Sequence, residues 1–229
     1  IEKQGAFSAG GTVIEAKKTF DPYHPEPDAM TLHGDHANII YQIPSHAKPV
    51  SLMFLHGAGQ SMRTWQTTPD GREGFQSVFL RKGYPVYLID QPRRGDAGRA
   101  TVDGTIKASP DEQFWFGQFR MGLWPKFYDN SAFASQKDLN TFWRQMTPNT
   151  APYNDKVIAD AVTDALKKTE GTVLVTHSQG CGPGWLIGTE AGKNLKGIIA
   201  FEPGSGFIFP EGKVPAPISN NSFFGPTKA

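Results

Sequence analysis

The sequence is poor in features that would direct it to a membrane, to nucleic acid or to a disulfide-rich fold. Its 229 residues include one cysteine, Cys181, so no disulfide bond can form within them. The formal net charge is +1 with 20% charged residues and no basic run, which argues against a nucleic acid partner. No apolar run approaches the roughly 18 residues of a membrane-spanning helix, so no membrane span is expected.

Clusters of metal-ligating residues are also missing. No group of His, Cys, Asp or Glu has the spacing of a metal site, so we expect neither a metal ion nor an organic cofactor. The first residue is Ile1 rather than Met, and no signal peptide is present, as in a chain whose leader has been removed or in a fragment of a longer chain. We therefore expect a secreted or periplasmic protein. Cys181 is expected to be a small buried thiol rather than a reactive one.

Residues 171 to 184 read Gly-Thr-Val-Leu-Val-Thr-His-Ser-Gln-Gly-Cys-Gly-Pro-Gly, a short apolar strand followed by a sharp turn. Ser178 lies at the turn, which is typical of a nucleophile elbow holding a serine hydroxyl above the sheet edge. Gly180 matches the small residue required two places after the serine, whereas Thr176 stands where the pattern has glycine. Because an ordinary turn is the alternative for a bare Ser-x-Gly, the assignment depends on the rest of the chain.

Buried strands and helices alternate around this stretch. Residues 50 to 55 and 85 to 90 are nearly continuously apolar, as strands covered on both faces are. A short helix between them is predicted to end at Gly83. Residues 154 to 168 predict an amphipathic helix, and residues 195 to 201 predict a further buried strand. This alternation indicates a mostly parallel sheet with right-handed crossovers.

Other segments flank or interrupt that core. Residues 13 to 16 and 37 to 43 predict antiparallel edge strands, separated by a loop over residues 21 to 36. Residues 113 to 143 concentrate aromatic side chains, which indicates an inserted cap that lines an apolar pocket or forms a dimer face. Packing of these rings on one another is expected to account for most of them.

The loop over residues 90 to 99 follows the second buried strand, at the sheet edge where ligands of open α/β sheets collect. Arg93 and Arg94 in this loop have two interpretations. They either meet an anionic substrate, or they pair with Asp96 or other surface carboxylates and brace the loop.

The order of these elements resembles the α/β-hydrolase superfamily: His56-Gly57 after one central strand, Asp90 after the next, an inserted cap, and the Ser178 elbow. The resemblance covers about residues 13 to 206. It implies an α/β-hydrolase fold with a mostly parallel central sheet and antiparallel N-terminal strands. It also implies four segments: a first core part at 1–112, a cap insertion at 113–150, a core part with the elbow and acid strand at 151–206, and a loop at 207–229.

Within that superfamily, the sequence is similar to secreted bacterial serine esterases that place a glutamate directly after the sixth strand. The resemblance implies that Ser178 is the nucleophile and Glu202 the acid of a catalytic triad. It implies that the backbone N–H of Gln179 is one oxyanion donor and that of Ala58 the other, with Gly59 as the alternative to Ala58. Independently, Ser178 and Glu202 end consecutive predicted strands, although a loop or capping carboxylate remains the alternative for Glu202.

A histidine base is missing from the expected place. None of the six histidines follows Glu202, where the superfamily carries its catalytic histidine. His177 adjoins Ser178, but successive residues of a strand point to opposite faces, so its ring should not reach the hydroxyl. His56 is expected to brace the oxyanion loop. The remaining histidines precede the core strands and are not expected to act as the base: His24, His33, His36 and His46.

The predicted sixth strand would also be an unpaired apolar edge, which is an aggregation hazard. We therefore expect a complementary C-terminal segment of roughly 60 to 100 residues that supplies the histidine, either beyond a disordered gap or as a separate fragment after a nick in the 205 to 229 loop. A homodimer is a further possibility that the aromatic cap leaves open.

These observations predict a serine hydrolase that cleaves small-molecule carboxylic esters of medium size and mostly apolar character. Ser178 would form the acyl-enzyme, and Glu202 would orient a histidine outside this chain. Other acyl-transfer enzymes on the same scaffold, namely an amidase, a thioesterase or an acyltransferase, are alternatives. A second alternative is a non-catalytic binding protein in which the histidine has been lost.

Overall fold

The chain folds around a six-stranded mixed sheet in the computed structural model, which describes residues 1–133, 135–206, 208–209, 212–213 and 227–228. In chain order, the strands of this sheet are β1 (Lys3–Ile14), β2 (Leu32–Ile43), β3 (Ser51–Leu55), β4 (Val86–Asp90), β7 (Thr172–His177) and β8 (Leu195–Phe201). Their spatial order is β1-β2-β4-β3-β7-β8. The four strands β4, β3, β7 and β8 are parallel, as predicted, because helices connect them across the faces of the sheet.

The central strands form the core because both of their faces are covered. Every residue of β3 is buried, in agreement with its continuous apolar run. One face carries α4 (Asp155–Leu166), which packs on β1 and β2, and α5 (Cys181–Glu190), which packs on β7 and β8. The other face carries α1 (Phe75–Arg81) and a turn that includes Trp65. The carboxyl ends of β3, β4, β7 and β8 therefore meet at one edge of the sheet.

The amphipathic pattern predicted α4 closely, because its ends carry clear signals. Asn154 accepts a hydrogen bond from the backbone N–H of Val157 at 3.0 Å and caps the helix. The apolar stripe of α4 is buried against the sheet. Gly171, at φ +59°, makes the turn into β7 where the sequence predicted the end of the segment.

The first two strands are much longer than predicted, and their loop is displaced. β1 begins at Lys3 rather than at residue 13, and β2 begins at Leu32, within the predicted loop of residues 21 to 36. The missed part of β1, residues 3 to 12, is rich in glycine, alanine and serine, which have little intrinsic strand preference. The pairing of β1 with β2 supplies what propensity does not. In addition, β2 is not an edge strand, because it pairs with β4 on its other side.

The aromatic segment forms two helices and a small hairpin: α2 (Glu112–Gln118), β5 (Gly122–Leu123), β6 (Lys126–Phe127) and α3 (Gln136–Arg144). Its side chains pack chiefly on one another around Phe116, Met121 and Leu139. Several large apolar side chains remain exposed, including Phe114, Leu123 and Trp124. Self-packing thus accounts for much of the aromatic content, as expected.

Strand β8 forms the end of the sheet within the described part of the chain, and its Ile199 and Phe201 are exposed. The predicted loop over 207–229 falls mostly on residues outside those described. Within it, the short strands β9 (Ile208–Phe209) and β10 (Thr227–Lys228) pair in parallel. No helix of the described residues is long and apolar enough to cross a membrane, and they contain no cluster of metal-ligating side chains.

Candidate active site

Ser178 lies at a strained turn between β7 and α5. Its φ of +51° belongs to the left-handed region, which a non-glycine residue seldom adopts. A single helical turn over Ser178–Gly180 leads directly into α5. A Cβ atom on Gly180 would lie 2.4 Å from the carbonyl oxygen of His56, so only glycine lets the turn pass this close to the end of β3. The local geometry is that of a nucleophile elbow.

The departure at Thr176 is accommodated one turn into the following helix. Thr176 is fully buried, and its hydroxyl lies 3.1 Å from Sγ of Cys181. Its methyl group occupies space beside Gly184, where an added Cβ would lie 2.9 Å from Cγ2 of Thr176. Gly184 thus provides the room that a glycine at position 176 would otherwise provide. Cys181 is a buried free thiol, as expected, and burial raises its pKa.

A tight turn after β3 crosses directly over the elbow. The backbone N–H of Gln60 donates to the carbonyl oxygen of Gly57 at 3.3 Å, and Gly59 has a φ of +63°. A Cβ on Gly57 would lie 2.9 Å from Cβ of Ser178. Within the described residues, no protein acceptor receives the backbone N–H of Ala58 or that of Gln179. Both predicted oxyanion donors are therefore unoccupied beside Ser178.

The side chain of Gln60 holds this turn to the end of β7. Its Oε1 atom accepts a hydrogen bond from the backbone N–H of Gly57 at 2.9 Å. The same oxygen lies 3.0 Å from Nδ1 of His177, which must donate because an amide oxygen only accepts. Burial lowers the pKa of His177, which favours the neutral ring. As predicted, the His177 ring does not hydrogen-bond the Ser178 hydroxyl. No sequence pattern identified Gln60 beyond its place after Gly57-Ala58-Gly59.

His56 is fully buried behind the turn and has no access to a substrate. Burial lowers its pKa from 6.5 to about 3, so the ring is neutral. With its proton on Nδ1 it donates to the carbonyl oxygen of Gly57 at 3.1 Å. The 3.7 Å contact of its Nε2 atom with Asp90 is consequently not an ion pair. His56 braces the turn, as expected from its position.

Glu202 emerges beside Ser178 because of the strand register. His177 of β7 pairs with Phe201 of β8, so Ser178 and Glu202 are the next residue on each of two neighbouring strands. The N–H of Gly204 donates to the carbonyl oxygen of Ser178 at 2.9 Å and ties the two loops together. The Glu202 side chain is 66% exposed and forms an ion pair with Arg120 of the cap segment. Within the described residues, no histidine ring hydrogen-bonds either Glu202 or the Ser178 hydroxyl.

Arg93 braces its loop through a carboxylate, although the partner is the buried Asp35 rather than Asp96 or a surface carboxylate, and Arg94 contacts the turn after β3. The guanidinium of Arg93 binds both carboxylate oxygens of Asp35, at 2.7 and 2.9 Å. Arg94 is buried, and its Nη1 atom donates to the carbonyl oxygen of Gly57 at 2.8 Å. The sequence could not reveal these partners, because Asp35 and Gly57 are far from the arginines along the chain.

The fold and this arrangement define an α/β hydrolase: a parallel core with a strained serine elbow, an oxyanion-type turn and a carboxylate at one sheet edge. A model of the alpha/beta hydrolase family matches residues 52–227. The chain belongs to that family.

Two relatives are informative. The chain is 32% identical over 165 residues to a probable secreted lipase of the fungal strain ATCC 74256, a match that covers 68% of the chain and 45% of the relative. The chain therefore spans about half the length of that curated relative. A solved structure of a novel bacterial esterase is similar with a TM-score of 0.72 and 27% identity, covering 92% of this chain and 68% of its own.

Proposed function

We propose that the chain carries the nucleophile of a serine hydrolase that cleaves carboxylic esters. The observation that carries this proposal is Ser178, held at a positive φ beneath a turn whose Ala58 N–H has no protein acceptor. A serine hydroxyl held by a strained backbone beside N–H groups that have no protein acceptor is what acyl transfer requires, because the attack creates an oxyanion next to the nucleophile. The fungal lipase and the bacterial esterase support ester chemistry.

In the proposed reaction, Ser178 Oγ attacks the acyl carbonyl carbon while a histidine takes its proton. The carbonyl oxygen becomes an oxyanion that accepts hydrogen bonds from the N–H groups of Ala58 and Gln179. The histidine returns the proton to the departing alcohol, and the acyl group stays on Ser178 until water removes it. Glu202 orients the histidine, which lies outside the described residues.

The substrate class follows from the cap segment, for which we propose the bounds 113–150. Its contacts with the site include the ion pair of Arg120 with Glu202, and the N–H of Thr147, which donates to the carbonyl oxygen of Gly59 at 2.7 Å. Its exposed Trp124 and Tyr128 offer apolar surface. We propose a medium-sized, mostly apolar ester. We also propose an extracellular location, because the fungal relative is described as secreted.

The decisive experiment is covalent labelling of the protein expressed from its full reading frame with a fluorophosphonate. We expect a single adduct on Ser178, and we expect Ser178→Ala to remain unlabelled. Ser45→Ala is the matched control, because Ser45 is an exposed serine in a loop away from the elbow and should leave labelling unchanged. Intact mass before labelling reveals whether the histidine belongs to the same polypeptide or to a separate fragment.

Turnover then assigns the reaction. A series of p-nitrophenyl esters should be hydrolysed at rates far above those of matched p-nitroanilides and thioesters, with Ser178→Ala inactive. Preference for an anilide or a thioester would instead assign an amidase or a thioesterase. A wild-type protein that is folded, unlabelled and inert would assign a binding protein and contradict the proposal.

A further inference from the structure

Two neighbouring buried arginines, Arg93 and Arg94, differ in the groups that bind their guanidinium. Arg93 has a carboxylate partner, Asp35, which binds its guanidinium at both oxygens. Arg94 has no such partner: no carboxylate of the described residues lies within ion-pairing distance of its guanidinium, buried Asp90 acts on it only electrostatically, and only 2% of the residue is exposed. A buried charge without a directly bound counter-ion is costly, so its presence calls for a reason.

All acceptors that Arg94 binds in the described residues are neutral, and two of them belong to the oxyanion region. Nη1 donates to the carbonyl oxygen of Gly57 at 2.8 Å, and Nη2 donates to Oε1 of Gln179 at 3.3 Å. Nε donates to Oδ1 of Asn149 at 2.8 Å, which fixes the plane of the guanidinium. Arg94 therefore connects the turn after β3 with the residue that follows Ser178.

The contact with Gly57 acts on the Ala58 donor through a single peptide unit. The carbonyl of Gly57 and the N–H of Ala58 share one planar peptide group and point in opposite directions. A hydrogen bond that holds the Gly57 oxygen toward buried Arg94 therefore aims the Ala58 N–H to the opposite side. A cation bound to that oxygen also polarises the peptide and strengthens the N–H as a donor.

We propose that Arg94 is a positioning residue of the oxyanion hole, which fixes and polarises the Gly57–Ala58 peptide and supplies the positive charge that the oxyanion balances. This inference rests on the proposed function of Ser178. Burial lowers the Arg94 pKa to about 10, so the guanidinium remains charged at neutral pH. Its charge then has no directly bound carboxylate in the resting site and gains an anionic neighbour in the transition state, which is where binding energy accelerates a reaction.

The test compares Arg94→Met with Arg93→Met, two substitutions of adjacent buried arginines, in the protein expressed from its full reading frame. For Arg94→Met we expect kcat to fall by about 10- to 100-fold with KM changed by less than about threefold, somewhat below the effect of deleting an oxyanion donor. The affinity for a trifluoromethyl ketone, which forms a tetrahedral adduct, should fall by the same factor. Arg93→Met should lower the melting temperature through loss of its partner for Asp35 and leave kcat within about threefold.

Arg94→Lys is the second variant, because it retains the charge and one donor and is less disruptive. We expect it to recover part of the lost kcat, while Arg93→Lys changes stability alone. Amide hydrogen exchange over residues 56 to 61 gives a readout independent of turnover, and it should accelerate in Arg94→Met but not in Arg93→Met.

The outcomes separate the two proposals. Two results with a wild type that hydrolyses esters would show that the inference about Arg94 is wrong while the role of Ser178 stands. One is an equal loss of kcat in Arg94→Met and Arg93→Met. The other is a rise of KM in Arg94→Met with ketone binding weakened to the same extent. If the wild type is inert, the proposed function fails, and unchanged exchange over residues 56 to 61 in Arg94→Met then overturns the inference separately.

Discussion

The two sides of the site differ in how firmly their groups are held by hydrogen bonds. On the side of β3 and β7, the turn at Gly57 is held by His56, Gln60 and Arg94, all within hydrogen-bonding distance of its peptide groups. On the side of β8, Glu202 is two-thirds exposed and its side chain has one ionic partner, Arg120, which is itself exposed. The side of the proposed nucleophile and oxyanion donors is thus preformed in the described chain, whereas the side of the proposed acid is open.

The difference has a simple physical origin. Buried hydrogen bonds in a low-dielectric interior hold their geometry because breaking them leaves unsatisfied polar groups. An exposed ion pair is readily replaced by contacts with water, so it contributes little to stability. An oxyanion hole benefits from rigidity, since its donors must be in place before charge develops. A carboxylate whose proposed role is only to orient a histidine needs no fixed position until that histidine is present.

The strongest challenge to this comparison is Glu202→Gln. If Glu202 is the triad acid, we expect kcat to fall by about 10³- to 10⁴-fold, because loss of the orienting carboxylate costs about that much in serine triads. The melting temperature should hardly change, since the side chain is exposed. Glu170→Gln, at another exposed glutamate, is the control. An active Glu202→Gln would show that the acid side contributes nothing to catalysis.

Acidification should lower the unfolding free energy of the chain through His56, which lies on the firmly held side. The pKa of His56 is about 3 in the folded chain and near 6.5 when unfolded, so below pH 6.5 the unfolded chain binds more protons. Its contribution to stability is present above pH 6.5 and is lost as the pH falls toward 3. The loss is on the order of 5 kcal/mol for a shift of this size.

Denaturant unfolding of wild type and His56→Gln across this range measures that contribution. Glutamine cannot titrate and can still donate to the carbonyl oxygen of Gly57, so we expect a shallower dependence of the unfolding free energy on pH for the variant. Equal slopes for the two proteins would show that His56 is not held neutral in the folded state.

Gly57→Ala should disturb the turn over Ser178 directly. The added methyl group would lie 2.9 Å from Cβ of Ser178 and 3.1 Å from Oε1 of Gln60, so the turn must move. We expect a fall in kcat of about 100-fold, comparable to the loss of one oxyanion donor. Gly117→Ala is the matched control, because nothing lies within 4 Å of its added Cβ in α2. Similar kcat values for the two variants would contradict a rigid turn.

The smallest effect is expected for Arg120→Ala. Both partners of its ion pair with Glu202 are largely exposed, so the pair should contribute little to stability or to the position of the cap. We expect kcat/KM on a neutral ester to change by less than about threefold. A loss as large as that of Glu202→Gln would mean that the cap arginine, and not a histidine, is the functional partner of the glutamate.

Much of the core could be predicted because its patterns are local. The continuous apolar runs of β3 and β4 and the capped stripe of α4 each carry their own signal. The long pairing of β1 with β2 was missed, because its small residues form a strand only when a partner is present. The aromatic content of residues 113 to 143 indicated an insertion, but not the hairpin and the two helices that it contains.

The candidate site divides in the same way. Ser178 and the turn at Ala58 followed from motif and resemblance, and Glu202 from its position after a predicted strand. No local pattern identified Gln60 or Arg94. The partner of Gln60 on β7, His177, is distant in the sequence, and the partner of Arg94 at Gly57 is a backbone oxygen. The role of Thr176 was equally invisible, because the glycine that accommodates it lies on the next helix.

The sequence by itself determined the parallel α/β core, the elbow and the family, because these depend on local periodicity and on short motifs whose glycines have steric reasons. Only the tertiary structure decided which side chains brace the elbow, which arginine has a carboxylate partner and which does not, and how open the acid side is. Hydrogen bonds across strands and loops depend on distances of a few tenths of an ångström between residues far apart in the chain, and residue type does not encode them locally.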